Sequence, residues 1–261
     1  MNIGNLKLIT TVAVVISALV LVLLERIFPY TKNQKFLREG FKEDFFYYTF
    51  FQNYILGLVI AWIISFINSF FHLSSHRLIG RFSLLEQLIF FFVIHDFYIY
   101  WFHRLQHNSK ILWHIHEAHH SNRQVDWLSG SRSHALEILI NQTIEFLPIV
   151  LLGAAPAVAV LKGAIDAVWG MYIHSNIDVK SGRLQYFING PEMHRWHHAD
   201  KNNNAYNKNF ATKLAIWDWL FNTAYNPRGQ KPEYFGLSDI NFPVNYFKQQ
   251  VFAFRKFYKE G

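Results

Sequence analysis

The chain has 261 residues, 25 Lys and Arg against 18 Asp and Glu, a net charge of +7 and no cysteine. It is 51% apolar and only 16% charged, against roughly 25% charged in soluble domains, which favours a membrane setting. The missing thiols exclude disulfides, thiolate zinc sites, iron–sulfur clusters and thiolate haem. The basic residues are separated by apolar runs, which argues against a nucleic-acid stripe and for a positive face held against anionic lipid.

Residues 5–24 form an apolar run with Lys7 at its edge. About 20 such residues cross a bilayer. A signal peptide would have a shorter apolar core and a small-residue cleavage site, so an uncleaved first span is predicted. Residues 46–71 predict a second span, and residues 84–102 a third that grows more polar towards its end. Residues 135–153 and 157–173 flank the breaker Gly153-Ala154-Ala155-Pro156, and read as two spans or as a hairpin that stops short of crossing. Lys and Arg number five in 26–45, two in 72–85, four in 104–134 and twelve from 174 onward. A first span running outside to inside puts every rich segment in the cytoplasm. The last twenty residues mix Phe with Lys and Arg, as an interfacial amphipathic helix or a packed terminal helix would. The expected fold is all-α: a polytopic membrane bundle of four to five spans under a cytoplasmic helical cap. Its expected parts are N-terminal spans over 1–83, a catalytic region over 84–228 and an amphipathic tail over 229–261.

Nine of the 14 histidines lie in 103–120 and 194–198. His103 and His107 are spaced i, i+4, one above the other on a helical face. His116, His119 and His120 are spaced i, i+3, i+4, the latter two each within about 60° of His116 on a helix, and His194, His197 and His198 repeat the pattern. A lone histidine is more often a hydrogen-bonded or exposed side chain than a ligand, but three clusters predicted at one membrane face point to metal. His114, roughly 160° round the helix from His116, is excluded. His95, about 12 Å along the axis from His103, is a weak candidate, and His72 and His76 fall on the opposite loop. Eight imidazoles would repel if protonated and need a shared cation. They are too many for one tetrahedral ion and suit two metals with open positions. Imidazole accepts iron, zinc, copper or nickel, so the metal's identity stays open at this point. His116-Glu117-Ala118-His119-His120 matches HExxH in letters, but a single Glu-x-x-His, Glu117 to His120, stands where soluble di-iron bundles use two.

These boxes and their surroundings resemble the fatty acid hydroxylase/sterol desaturase superfamily of integral membrane di-iron enzymes. HDFYIYWFHRLQH resembles its D-x-x-Y-Y-W-x-H-R-x-x-H stretch, and HEAHHS followed by SRSHALE resembles its H-x-x-H-H-S and R-x-H-P-L-E run, with Ala135 in place of Pro. PEMHRWHHAD and the residues after it resemble H-R-x-H-H … N-Y-G … W-D-x-L-F-G-T, with Asn209-Phe210-Ala211 for N-Y-G and Asn222 for the last Gly. The resemblance runs over about 85–228. It implies two irons held by His103, His107, His116, His119, His120, His194, His197 and His198, with His174 as a further ligand. His134, Asp96, Glu137 and Glu145 are expected to support the ligands.

The implied chemistry is oxidation of an unactivated C–H bond by O₂ at two ferrous ions, with zinc able to replace iron in a purified sample. Hydroxylation is expected ahead of desaturation. Candidate substrates from the bilayer are a fatty acyl lipid, a sterol or hopanoid, an ether lipid and a carotenoid. The chain lacks a flavin or nicotinamide fingerprint, so electrons must come from a separate partner: a cytochrome b5-like protein, a ferredoxin or a reductase, docked on the basic face. The expected location is a bacterial inner membrane or the endoplasmic reticulum, with the site on the cytoplasmic side. The polar residues Glu137, Asn141, Glu145, Lys162 and Asp166 within the spans read as support for the site or substrate passage, or as a Glu145–Lys162 ion pair. Trp217–Phe221 reads as a packed or interfacial helix, or as a wall of the lipid entrance. Two rival functions remain. A non-catalytic metal-binding membrane protein would have a closed, saturated site and no apolar cavity. A metal hydrolase would want a carboxylate in hydrolase spacing with the boxes.

Overall fold

The computed structural model describes residues 2–200, 205–238 and 241–255. They form α1 (Ile3–Ile27), α2 (Glu43–Phe71), α3 (Leu84–Asn108), α4 (Lys110–His116), α5 (Ala135–Leu151), α6 (Pro156–His174), α7 (Pro191–His197), α8 (Ile216–Leu220) and α9 (Tyr246–Arg255). Extended pairing among the described residues is confined to two isolated bridges, Pro29 with Ile177 and Ala199 with Phe235.

Local chemistry sets the helix boundaries. The Asn2 side chain caps α1, and Ser83 with Glu86 forms a capping box on α3, satisfying backbone N–H groups that lack helical partners. Gly153 takes a left-handed turn at φ +66° after α5, and Pro156 opens α6, where a missing N–H costs nothing. The first turns of α2, Glu43–Gln52, are wound as a π-helix whose buried residues are Asp44, Tyr48 and Gln52.

Helix α1 packs on α6, α2 on α5, and α3 on both α6 and α5. One pole gathers the ends of α1, α3 and α6 and the starts of α2 and α5. There Glu25 Oε1 accepts from the backbone N–H groups of Trp127 and Asn176, each at 2.7 Å. At the other pole the α2–α3 and α5–α6 connections meet: Ile79 N–H donates to the Leu152 carbonyl, and Ile79, Phe91, Ile149 and Val158 form a small core. Among the described residues four helices, α1, α2, α3 and α6, are long and apolar enough to cross a membrane. The remaining apolar stretch, α5, is 17 residues. Leu8, Ile16, Leu19, Leu58, Trp62 and Phe66 are exposed along α1 and α2, as helices that face lipid require.

A buried ion cluster braces the loops at the histidine pole. Asp44 accepts from Arg38 at 2.7 Å and from Arg132 at 2.6 Å, and Arg38 also grips Asp126 at 2.7 Å. Helix α9 packs on α2: Tyr246 stacks on Tyr47 and its hydroxyl donates to Gln52 Oε1. The tail therefore packs on the bundle, while Phe247, Val251 and Phe254 stay exposed. Residues 256–261 of the expected amphipathic tail lie outside the described residues, as do 201–204 in the run after the third histidine box.

Candidate metal centre

Nine histidines meet at that pole in two groups. His103, His107, His116, His120 and His197 form one, and His119, His174, His194 and His198 the other; within each, one nitrogen per ring lies within 4.8 Å of all the others. The groups abut, with the His120 and His198 ring centroids 4.5 Å apart. The HxxHH boxes do not each converge on one point. Helix α4 stops at His116 and a 3₁₀ turn carries His119–Ser121. In both boxes the i, i+4 pair stays together, His116 with His120 and His194 with His198, while the middle residue goes to the other group.

Five of the ring nitrogens that face away from the groups are held by the protein, while His194 Nδ1 is buried without a partner. Nδ1–H donates to a backbone carbonyl in four rings: His103 to Phe210 (2.7 Å), His119 to Arg132 (2.9 Å), His174 to Gly170 (2.7 Å) and His197 to Lys208 (2.9 Å). A carbonyl can only accept, so these neutral rings carry their proton on Nδ1 and present a bare Nε2 lone pair. His116 Nδ1 faces Glu137 Oε1 at 2.8 Å, and the same oxygen accepts from Gln106 Nε2. Inside the groups the Nε2 atoms face one another: His119 with His174 at 3.3 Å and His103 with His116 at 3.1 Å. The Nε2 atoms of His107, His120 and His197 are buried without a protein partner. Lone pairs aimed at one another repel unless a cation lies between them, so the donor set fits metal ions bound through neutral imidazole.

Burial also keeps these rings uncharged. It pushes His116 down to about 3 and His119 to about 4, and holds His120, His194, His197 and His198 well below the usual imidazole value, with neighbouring imidazoles acting in the same direction.

Of the residues expected to support the ligands, only Glu137 hydrogen-bonds one of the nine clustered rings. Asp96, fully buried, instead accepts from Thr212 Oγ1, the backbone N–H groups of Lys213 and Leu214, and Trp217 Nε1. His134 caps α5 and donates from Nε2 to the Gln250 carbonyl. Glu145 pairs with Lys162, the ion pair anticipated as one reading. His114, His72 and His76 lie outside both groups. Trp217–Phe221 packs: Phe221 stacks on Tyr100.

Other supports had no side-chain signal in the sequence, because they are carbonyls. The loop offering the Phe210 carbonyl is shaped by Asp218, which accepts from the N–H groups of Phe210 and Ala211 and from Thr223 Oγ1. The W-D-x-L-F run was its only trace. Asn222 adopts φ +58°, a left-handed conformation that Asn tolerates in place of Gly. Gly130 is needed for space, since a Cβ there would sit 2.7 Å from His174 Nδ1.

Two cavities lie beneath the groups. One, of about 230 Å³, is lined by His103, His116, His119, His174 and His194 together with Ile99, Ile138 and Ile173. The other, of about 350 Å³, shares Gly130, Ile138, Gln142, Glu145, Asp166 and Gly170 with it and reaches Val14 of α1 and Asn53 of α2. A polar cavity of about 590 Å³ near Lys35 and Arg123 touches none of the histidines.

A bundle of membrane-type helices closed at one pole by clustered imidazoles defines a histidine-box membrane protein. The Fatty acid hydroxylase family model matches residues 88–223, just over half of the chain, and the chain belongs to that family. It is 33% identical over 153 residues to the ornithine lipid hydroxylase OlsE of Rhizobium tropici, covering 59% of this chain and 46% of that protein. It is 31% identical over 153 residues to the alkylglycerol monooxygenase of Homo sapiens, covering 59% of this chain and 33% of that protein. Against methylsterol monooxygenase 1 of Rattus norvegicus it is 30% identical over 133 residues, covering 50% and 44%. The chain thus spans less than half the length of each of these relatives. No solved structure matches it.

Proposed function

We propose that the protein is a multi-pass membrane di-iron oxygenase that uses O₂ and electrons from a separate donor to hydroxylate a C–H bond of a lipid. One observation carries this reading: two abutting groups of imidazole lone pairs lie above a cavity that leads towards lipid-facing helices. A cavity against the ligands is what a closed storage or sensing site would lack. Nine donors in groups of five and four exceed one tetrahedral ion, which supports a pair of ions. The proposed ligands are the nine histidines, with Glu137 behind His116.

When bound, the irons supply O₂ reduction and the oxidising power for the C–H bond. The chain's residues do the rest. The carbonyls of Arg132, Gly170, Lys208 and Phe210 fix ring tautomer and orientation. Glu137 keeps the proton on His116 Nδ1, and such outer carboxylates strengthen ligand basicity. The cavity admits an acyl, alkyl or ring portion of the substrate and excludes bulk water. The relatives named as a hydroxylase and as monooxygenases favour hydroxylation over desaturation. The density of Lys and Arg at the histidine pole supports a cytoplasmic site and an acidic electron carrier such as a cytochrome b5-like protein or a ferredoxin. Residues 84–228 form the catalytic region in this reading, 1–83 supply spans, and the tail from 229 braces them.

The test is expression of wild type and His197→Ala in bacterial membranes, with comparative lipid mass spectrometry and iron analysis. Wild type should add one oxygen atom to a lipid class, and the variant should lose both product and iron. Loss of two hydrogens instead would identify a desaturase. A reduced, iron-loaded wild type that consumes no O₂ with any lipid would overturn the proposal.

A further inference from the structure

Two turns below the metal groups lies a second polar layer. His95 is eight residues before His103 on α3, Glu145 eight after Glu137 on α5, and Asp166 eight before His174 on α6. Eight helical residues rise about 12 Å, so three helices place their polar groups at matching depth. The donor atoms of His95, Glu145 and Asp166 lie within 4.8 Å of one another. No metal is needed there, because Lys162 Nζ contacts His95 Nδ1 at 2.9 Å, Glu145 Oε1 at 2.5 Å and Asp166 Oδ2 at 2.6 Å.

That arrangement determines the state of His95. An ammonium donates and cannot accept, so His95 Nδ1 is the acceptor and the neutral ring carries its proton on Nε2. This Nε2–H is buried without an acceptor; Glu145 Oε2, at 3.7 Å, is beyond hydrogen-bond range. His95 is 9% exposed and lines the 230 Å³ cavity with the histidines above it. Trp169 lines the same cavity, and its Nε1–H also lacks a partner. Both cations of the layer already face carboxylates: Lys162 faces Glu145 and Asp166, and Lys213 Nζ lies 3.1 Å from Asp166 Oδ1 and 3.9 Å from Asp96 Oδ1. An anion arriving here would be uncompensated. An uncharged acceptor oxygen would complete an unmet hydrogen bond.

We propose that His95 binds an uncharged oxygen function of the substrate, an ester or amide carbonyl, an ether or a hydroxyl, and so sets which carbon lies beneath the metal groups. The assignment rests on the oxygenase reading. The distance between the two layers acts as a ruler: the oxidised carbon lies at a fixed number of bonds from the bound oxygen.

The experiment uses the full chain in bacterial membranes, with the lipids of those membranes as the probe and isotopically labelled O₂ as the tracer. Wild type, His95→Phe and His95→Gln are compared for iron content, product amount and position of the new hydroxyl. Phe keeps the ring volume without the donor; Gln keeps an N–H at a similar reach. His95→Phe should retain its iron, lose product at least tenfold and scatter the remaining hydroxyl over neighbouring carbons. His95→Gln should restore a single position. His95→Phe with unchanged amount and position overturns the proposal, and so does equal impairment of both variants at full iron. A wild type that labels no lipid at full iron overturns the oxygenase reading itself, and this proposal with it.

Discussion

The two polar layers differ in where their cation comes from. In the lower one, Lys162 inserts its ammonium among His95, Glu145 and Asp166. In the upper one, the backbone and Glu137 engage five of the outer nitrogens, and lone pairs converge with no cation from the described residues among them. Clustering of ligand-type side chains is therefore a poor guide by itself. What distinguishes a metal site is whether the chain already supplies the positive charge.

Lys162→Met breaks that comparison most directly. It leaves Glu145 without its counter-ion and Asp166 with Lys213 alone, which should destabilise the protein by about 3–5 kcal/mol, seen as a lower melting temperature in detergent. Added zinc should recover part of the loss, because three donors remain within reach. A variant as stable as wild type would dissolve the distinction between the layers.

Acid should strike the upper layer next. An unfolded imidazole titrates near 6.5, whereas burial holds folded His116 at about 3 and His119 at about 4. Between those values the unfolded chain takes up protons that the folded chain refuses. Stability is then full above about pH 6.5 and falls with pH, by on the order of 2 kcal/mol for each ring at pH 5. Melting of the metal-free protein at pH 7.5 and pH 5 measures this, and bound metal should reduce the difference.

Smaller effects sharpen the contrast. Glu137→Gln should weaken metal binding about 10–100-fold, while Glu145→Gln, in the lower layer, should leave metal affinity unchanged; competition with a chelator reads both. Ala135→Pro restores the residue of the resembled motif. Here, however, the Ala135 N–H donates to Gln250 Oε1 of α9 at 2.8 Å, a bond proline cannot make. The change should cost about 1 kcal/mol and loosen α9, visible as faster proteolysis of the tail.

Much of the site was legible because helical spacing is local. His103 with His107, and the two HxxHH boxes, announce ligand faces wherever a helix forms. The division of each box follows from the 100° between adjacent helical residues, which turns His119 away from His120 and His197 away from His198; which partners each side meets was not legible, since that depends on what lies opposite. Asp96 and His134 read as ligand supports, yet their partners are the 212–217 loop and α9. A carboxylate or imidazole near a motif indicates a need for partners without saying which ones.

The chain order of apolar runs, the breaker at Gly153–Pro156 and the histidine spacing settled the helices, the membrane character and the family resemblance before any coordinates. Those properties arise within one turn or one span of sequence. Only the folded bundle decided which carbonyl orients each ring, that Lys162 fills the lower cluster, and that a cavity joins the two layers. These are contacts between segments far apart in the chain, and their geometry follows from packing.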